Sequence, residues 1–147
     1  FLIDEVFDSL KSTLIIAGKN PHKKIIKKSS LSENIKVIAN PSFDKMQELI
    51  QNAQACVIPA FQATGLKLKL LTSLYSGRYC ITNLTMVKNT GLENLCFVAN
   101  SASEIKEAIT KCSEKEFTKA EINERVQILN STFSNKASIK RLLNHIL

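Results

Sequence analysis

A chain of 147 residues with 44% apolar residues, only 3 Pro and only 4 Gly is long and apolar enough to bury a core, which excludes a disordered or collagen-like chain. No apolar run approaches the roughly 20 residues of a membrane-spanning helix. The net charge of +7 (20 Lys+Arg against 13 Asp+Glu) favours anionic partners, but 6% aromatics, no Trp and no stacking motif among the lysines argue against nucleic acid.

Ile3, Val6, Phe7 and Leu10 recur at helical spacing, predicting an amphipathic helix over residues 1–11. The apolar run Thr13-Leu-Ile-Ile-Ala-Gly18, ended by Gly18 and Pro21, predicts a buried parallel strand. A lysine-rich helix is expected at about residues 22–28, then a polar loop, then a strand over Ile35-Lys-Val-Ile-Ala39. Asn40-Pro41-Ser42 breaks the chain, and Ser42 is placed to cap a helix burying Met46, Leu49, Ile50 and Ala53.

A strand over Ala55-Cys-Val-Ile-Pro59 runs into a polar turn containing Gly65, a helix at about 66–76, a stop at Gly77 and a strand from Arg78 to Thr82. A glycine-containing turn between the carboxyl end of a strand and a helix is where α/β proteins place ligands. The first helical turn offers unpaired N–H groups and a positive dipole end, with Lys67 and Lys69 beside it, which suits a phosphate. Equally, Gly65 reads as a plain turn residue and both lysines as a solvated helix edge. No Gly-x-Gly-x-x-Gly or Gly-Lys-Ser/Thr loop is present.

Residues 83–94 read as irregular, and Cys96-Phe-Val-Ala99 as a last short strand. Ser101 with Glu104, and Thr118 with Glu121, have capping-box spacing. The first box opens a helix with Ile105, Ala108, Ile109 and Cys112 inward, the second a helix to about Asn130, and a final helix carries Ile139, Leu142, Leu143 and Ile146. Strands alternating with helices predict an α/β, Rossmann-like parallel sheet with helices on both faces and two closing C-terminal helices. Residues 55–60 and 78–83 are expected in neighbouring parallel strands.

Nothing divides residues 1–147, which read as a single domain. Phe1 falls inside an apparent helix, so a first, central strand is expected upstream, making the chain a fragment. Cys56, Cys80, Cys96 and Cys112 have no metal-ligand spacing and no Cys-x-x-Cys pair, so they are expected to be free thiols in a reducing, cytoplasmic setting. His22 and His145 offer no nucleophile pairing, and no catalytic residue is assigned.

Four segments in one order carry a resemblance: Leu14-Ile-Ile-Ala-Gly-Lys-Asn-Pro21, Ile35-Lys-Val-Ile-Ala-Asn40, Ala53-Gln-Ala-Cys-Val-Ile-Pro59, and Thr64-Gly-Leu-Lys-Leu-Lys-Leu-Leu71 followed by Gly77. Over about residues 1–112 the chain resembles the C-terminal, nucleotide-sugar-binding domain of group-1 (family 4) glycosyltransferases of the GT-B type. The resemblance implies the donor half of a retaining hexosyltransferase-like enzyme of polysaccharide biosynthesis. The donor is a nucleotide-diphosphate sugar, with no other cofactor and no metal. The acceptor, a glycan or lipid-linked molecule, belongs to an N-terminal domain outside these residues, so the chain alone is expected to be inactive. The setting implied is cytoplasmic, with the inner face of the membrane and peripheral attachment to it as one version.

Residue by residue, the resemblance places Gly65 at the close backbone approach, Thr64 beside it, and the Leu66 and Lys67 N–H groups on the phosphates. Lys67 or Lys69 balances their charge, Asn40 and Pro41 edge the base, and Gly18 flanks the cleft. Two glutamates usual in the family fall at Gln62 and Thr72, which hydrogen-bond without a charge. That departure supports an alternative: a degenerate, inactive transferase-like binding or scaffold protein. A third reading, a receiver-like α/β module, lacks the acidic cluster such a site needs at its strand ends.

Overall fold

The computed structural model describes residues 1–62 and 67–134, together with Ile139 and Leu143. The chain forms two compact units, Phe1–Glu114 and Lys115–Leu147.

The first unit opens with a short π-helical turn, Leu2–Val6, in which the Phe7 N–H donates to the Leu2 carbonyl at 2.9 Å. The helix expected over residues 1–11 is therefore shorter. Asn34 explains the stop: its Nδ2 donates to the carbonyls of Phe7 at 3.2 Å and Leu10 at 2.8 Å. Those bonds satisfy polar backbone groups without further helix. Val6 and Phe7 still bury as the spacing predicts.

Strand β1 (Leu14–Gly18) pairs in parallel with β2 (Ile35–Ala39), from Leu14 opposite Ile35 to Gly18 opposite Ala39. Helix α1 (Lys23–Ser29) connects them, capped by His22, whose Nδ1 accepts the Lys24 N–H at 3.2 Å. After β2 comes α2 (Phe43–Asn52), capped by Ser42 as expected, though its inward face is half-buried.

Strands β3 (Ala55–Val57), β4 (Tyr79–Thr82) and β5 (Phe97–Val98) form a second parallel sheet in that order. Cys56 lies opposite Cys80, and Ile81 opposite Phe97. All four residues of β4 are buried, as the central position requires. Helix α3 (Leu68–Ser76) connects β3 to β4 and buries Leu70, Ser73 and Leu74. Helix α5 (Ala102–Glu114) lies against β4 and the Leu2–Val6 turn. It buries Ile105, Ala108, Ile109 and Cys112, the four residues its periodicity turns inward.

The fold is thus the Rossmann-like α/β arrangement the alternating pattern predicts, with parallel strands flanked by helices. It departs from one continuous sheet: among the described residues β1 pairs with β2 alone and β3 with β4 alone. Residues 83–94, read as irregular, contain helix α4 (Leu84–Val87) and a 3-10 turn, Glu93–Leu95.

The second unit is built on α6 (Lys119–Phe133). Thr118 and Glu121 close the expected capping box at its start. The Arg125 guanidinium lies 4.7 Å from the centre of the Phe117 ring, a cation–π contact that lets a charged side chain sit buried. Of the final predicted helix, Ile139 and Leu143 are helical and exposed, and Leu142 and Ile146 lie outside the described residues.

Candidate functional site

Two groups of predicted residues lie at the carboxyl ends of the parallel strands. The first joins β1 to β2. Asn20 and Asn40 both take left-handed backbone conformations, φ 47° and 51°, which asparagine tolerates better than most residues. The Asn40 N–H donates to the Gly18 carbonyl at 2.8 Å, and the Asn20 N–H donates to Asn40 Oδ1 at 2.8 Å. Gly18, Asn40 and Pro41 are therefore neighbours at this strand end. Beside them Lys19, Asn40, Pro41, Ser42, Phe43 and Met46 line an open cleft of about 420 Å³. The Phe43 ring is 77% exposed there, an apolar surface at the start of α2.

The second group follows β3. The Ile58 N–H continues the ladder to the Ile81 carbonyl at 2.9 Å, and Thr82 Oγ1 donates to the Ile58 carbonyl at 3.0 Å. Pro59 has no N–H to give, and Asn83 takes over at the next residue. Its Oδ1 accepts the Ala60 N–H at 3.0 Å and its Nδ2 donates to the Ala60 carbonyl at 2.7 Å. The same Oδ1 caps α4 through the Met86 N–H at 3.3 Å.

This support extends further. The Leu84 N–H donates to Asn100 Oδ1 at 2.9 Å, and the Asn100 and Ser101 N–H groups donate to the Glu104 carboxylate. Those two backbone bonds, Asn100 first, hold the Glu104 carboxyl below its ordinary range. Sequence reasoning missed Asn83 and Asn100 as positioning residues. The one local signal is an asparagine directly after a strand and three residues before the amide it caps.

Phe61 then packs its ring edge-on against Phe1, centroids 5.7 Å apart, and Gln62 is exposed. Thr64, Gly65 and Leu66 lie outside the described residues. Beyond them Lys67 stands at the N-cap of α3 with no side-chain cap bond. Lys69 is exposed in the first turn, which carries no acid, and Leu68 beside it is 63% exposed. Thr72 is half-buried in the next turn.

Lys67 and Lys69 thus stand at the start of α3 and Thr72 one turn further on, while Gly18, Asn40 and Pro41 form a separate cluster. No hydrogen bond among the described residues links the two. Cys80 and Cys112 are buried, and Cys56 and Cys96 are half-buried. Among the described residues no His, Cys, Asp and Glu group is arranged to hold a metal ion, and no helix is long and apolar enough to cross a membrane.

The family of glycosyl transferases group 1 matches the chain over residues 1–115. No curated protein and no solved structure matches it.

Proposed function

Because this chain belongs to the group 1 glycosyltransferases, we propose that it is the donor half of a retaining enzyme using a nucleotide-diphosphate sugar. The observation that carries the reading is the start of α3. A basic helix end with no acid in its first turn follows a strand end that Asn83 holds fixed. Breaking the sugar–phosphate bond leaves negative charge on the diphosphate. Helix N–H groups and Lys67 or Lys69 would stabilise that charge in the transition state more than in the ground state. No metal is needed for such stabilisation, and the nucleotide sugar is a substrate rather than a cofactor.

The cleft at Asn40, Pro41 and Phe43 would take the base, with Gly18 at its margin. Gln62 would lie towards the sugar and Thr72 towards the ribose, each a neutral hydrogen-bonding group where the family usually has an acid. Thr64, Gly65 and Leu66 would form the turn over the phosphates. Among the described residues β1 and β3 are each paired on one side only, which supports a further part of the reading: a parallel strand from outside residues 1–147 would join them. A second domain would carry the glycan or lipid-linked acceptor, and the cytoplasmic side is where nucleotide sugars would meet it.

Gln62 and Thr72 also favour a second reading, a transferase fold that has lost donor chemistry and serves as a binding or scaffold protein. Calorimetric titration of the full-length protein with a panel of nucleotides and nucleotide sugars separates the two. Saturable binding of one nucleotide diphosphate sugar supports the enzyme. No binding across the panel gives the scaffold reading its place.

A further inference from the structure

The cleft beside Asn40 presents hydrogen-bond donors and almost no acceptors. Its wall is apolar at Pro41, Phe43 and Met46, and its polar side chains are Lys19, Asn40 and Ser42. Two of these have their oxygens engaged by the backbone. Asn40 Oδ1 accepts the Asn20 N–H at 2.8 Å, and Ser42 Oγ accepts the Lys45 N–H at 3.2 Å as the cap of α2. The Lys19 ammonium and Asn40 Nδ2 make no hydrogen bond or ion pair among the described residues. No carboxylate belongs to the lining, and Asp44, next to Phe43, is exposed outside it.

We propose that this cleft selects a diketo pyrimidine, uracil or thymine, as the base of the donor nucleotide. The inference rests on the donor-half reading and adds the side chains that choose the base, Lys19 and Phe43. Phe43 stacks on the base without discriminating, because every base has a π-face. The choice comes from the edge. Uracil and thymine present two carbonyl acceptors flanking a single N–H, whereas adenine, cytosine and guanine carry an amino group that needs an acceptor. Lys19 and the Asn40 amide nitrogen donate to carbonyls and accept nothing. Guanine offers Lys19 a carbonyl too, but its ring N–H and amino group follow on the same edge and call for a carboxylate. An amino group turned to this wall gives up water and meets another donor. That mismatch is what lets a polar site reject a close analogue.

The test is calorimetric titration of the full-length protein with UDP, dTDP, CDP, ADP and GDP, and with inorganic diphosphate. UDP or dTDP should bind about tenfold more tightly than the other nucleotides, and the tighter of the two names the base. Lys19→Met should lower affinity for that nucleotide about tenfold, narrow its lead over GDP, and leave inorganic diphosphate unchanged. Phe43→Ala should weaken all the nucleotides alike, by about tenfold. Both sites are exposed, and unchanged melting curves confirm folded variants. A preference for GDP, ADP or CDP, in a parent whose binding still falls on Lys67→Ala or Lys69→Ala, overturns the base assignment alone. Binding of no nucleotide overturns it together with the donor-half reading. A Lys19→Met variant that binds like the parent, or that loses inorganic diphosphate as much as nucleotide, also overturns the proposal.

Discussion

Asn83 pairs with the backbone of Ala60 in both directions, accepting its N–H at 3.0 Å and donating to its carbonyl at 2.7 Å. This is the bond pattern of one more ladder residue, made by a side chain where Pro59 has interrupted the strand's own donors. It ties the segment leading into the candidate phosphate turn to the rigid end of β4. Asn83→Ala removes both bonds and the α4 cap, leaving half-buried backbone groups to find water. Denaturant unfolding should show a loss of about 1–3 kcal/mol. Asn83→Asp keeps the acceptor and loses the donor, so it should fall between the two. An Asn83→Ala variant as stable as the parent would show that the loop holds itself.

Gly77 ends α3 at a point with no room for a side chain. A Cβ there would stand 2.8 Å from the Ser73 carbonyl oxygen, 3.2 Å from Cys56 Sγ and 3.3 Å from Ile50 Cγ2. The nearest of these is backbone, and it already accepts the Gly77 N–H at 2.9 Å. Gly77→Ala should therefore destabilise the first unit by about 1–3 kcal/mol, the usual cost of overpacking. A neutral or stabilising effect, through reduced freedom of the unfolded chain, would mean that α3 can shift to admit the methyl group.

The strands were legible because each is a short apolar run closed by a breaker: Gly18, Asn40 and Pro59 fall at or just beyond the ends of β1, β2 and β3. The inward faces of α5 were legible from period alone. What escaped has a different character. Asn83 meets Ala60 across 23 residues, and no local pattern announces such a partner. The break between β1 and β3 is a property of pairing, which an apolar run does not specify. The helix over residues 1–11 was overread because Ile3, Val6, Phe7 and Leu10 satisfy a helical stripe, while Asn34 claims the carbonyls of Phe7 and Leu10.

The second unit should respond to acid through Glu121. A hydrogen bond from Lys115 first, and the Thr118 N–H second, hold its carboxyl at about 2 against an ordinary 4.5. The folded value lies below the unfolded one, so the stabilisation is fully present above 4.5 and is lost as pH falls towards 2. The Glu121 side-chain resonance should titrate at the low end of that window. Helicity should fall over it in the parent and change less in Glu121→Gln. Titration near 4.5 would mean the capping box is open in solution.

Strands β1 and β3, each paired on one side only among the described residues, make a prediction for amide exchange. Ile15 in β1 is 46% exposed and β3 is half-buried throughout, whereas every residue of β4 is buried. If an additional parallel strand fits between β1 and β3 in the full-length protein, their amides facing away from β2 and β4 become ladder donors. They should then exchange orders of magnitude more slowly there than in residues 1–147 alone. Equal exchange in the two would remove the strand from the reading.

The sharpest functional prediction concerns the start of α3. Lys67 is the N-cap of α3 and Lys69 lies in its first turn; in the proposed reading one of the two meets a diphosphate held by the helix N–H groups. Loss of the contacting ammonium should weaken binding of a nucleotide diphosphate by about 1–3 kcal/mol, the scale of a hydrogen bond to a charged group. Loss of the other should change binding little, so Lys67→Ala and Lys69→Ala together identify the contact. Thr72→Glu would restore the acid that the resemblance places at this position. It should strengthen binding of the whole nucleotide and leave inorganic diphosphate unaffected, because the new contact is to a ribose hydroxyl. Calorimetry on the full-length protein reads all three. A parent that binds tightly while every variant binds like it would move the donor away from α3.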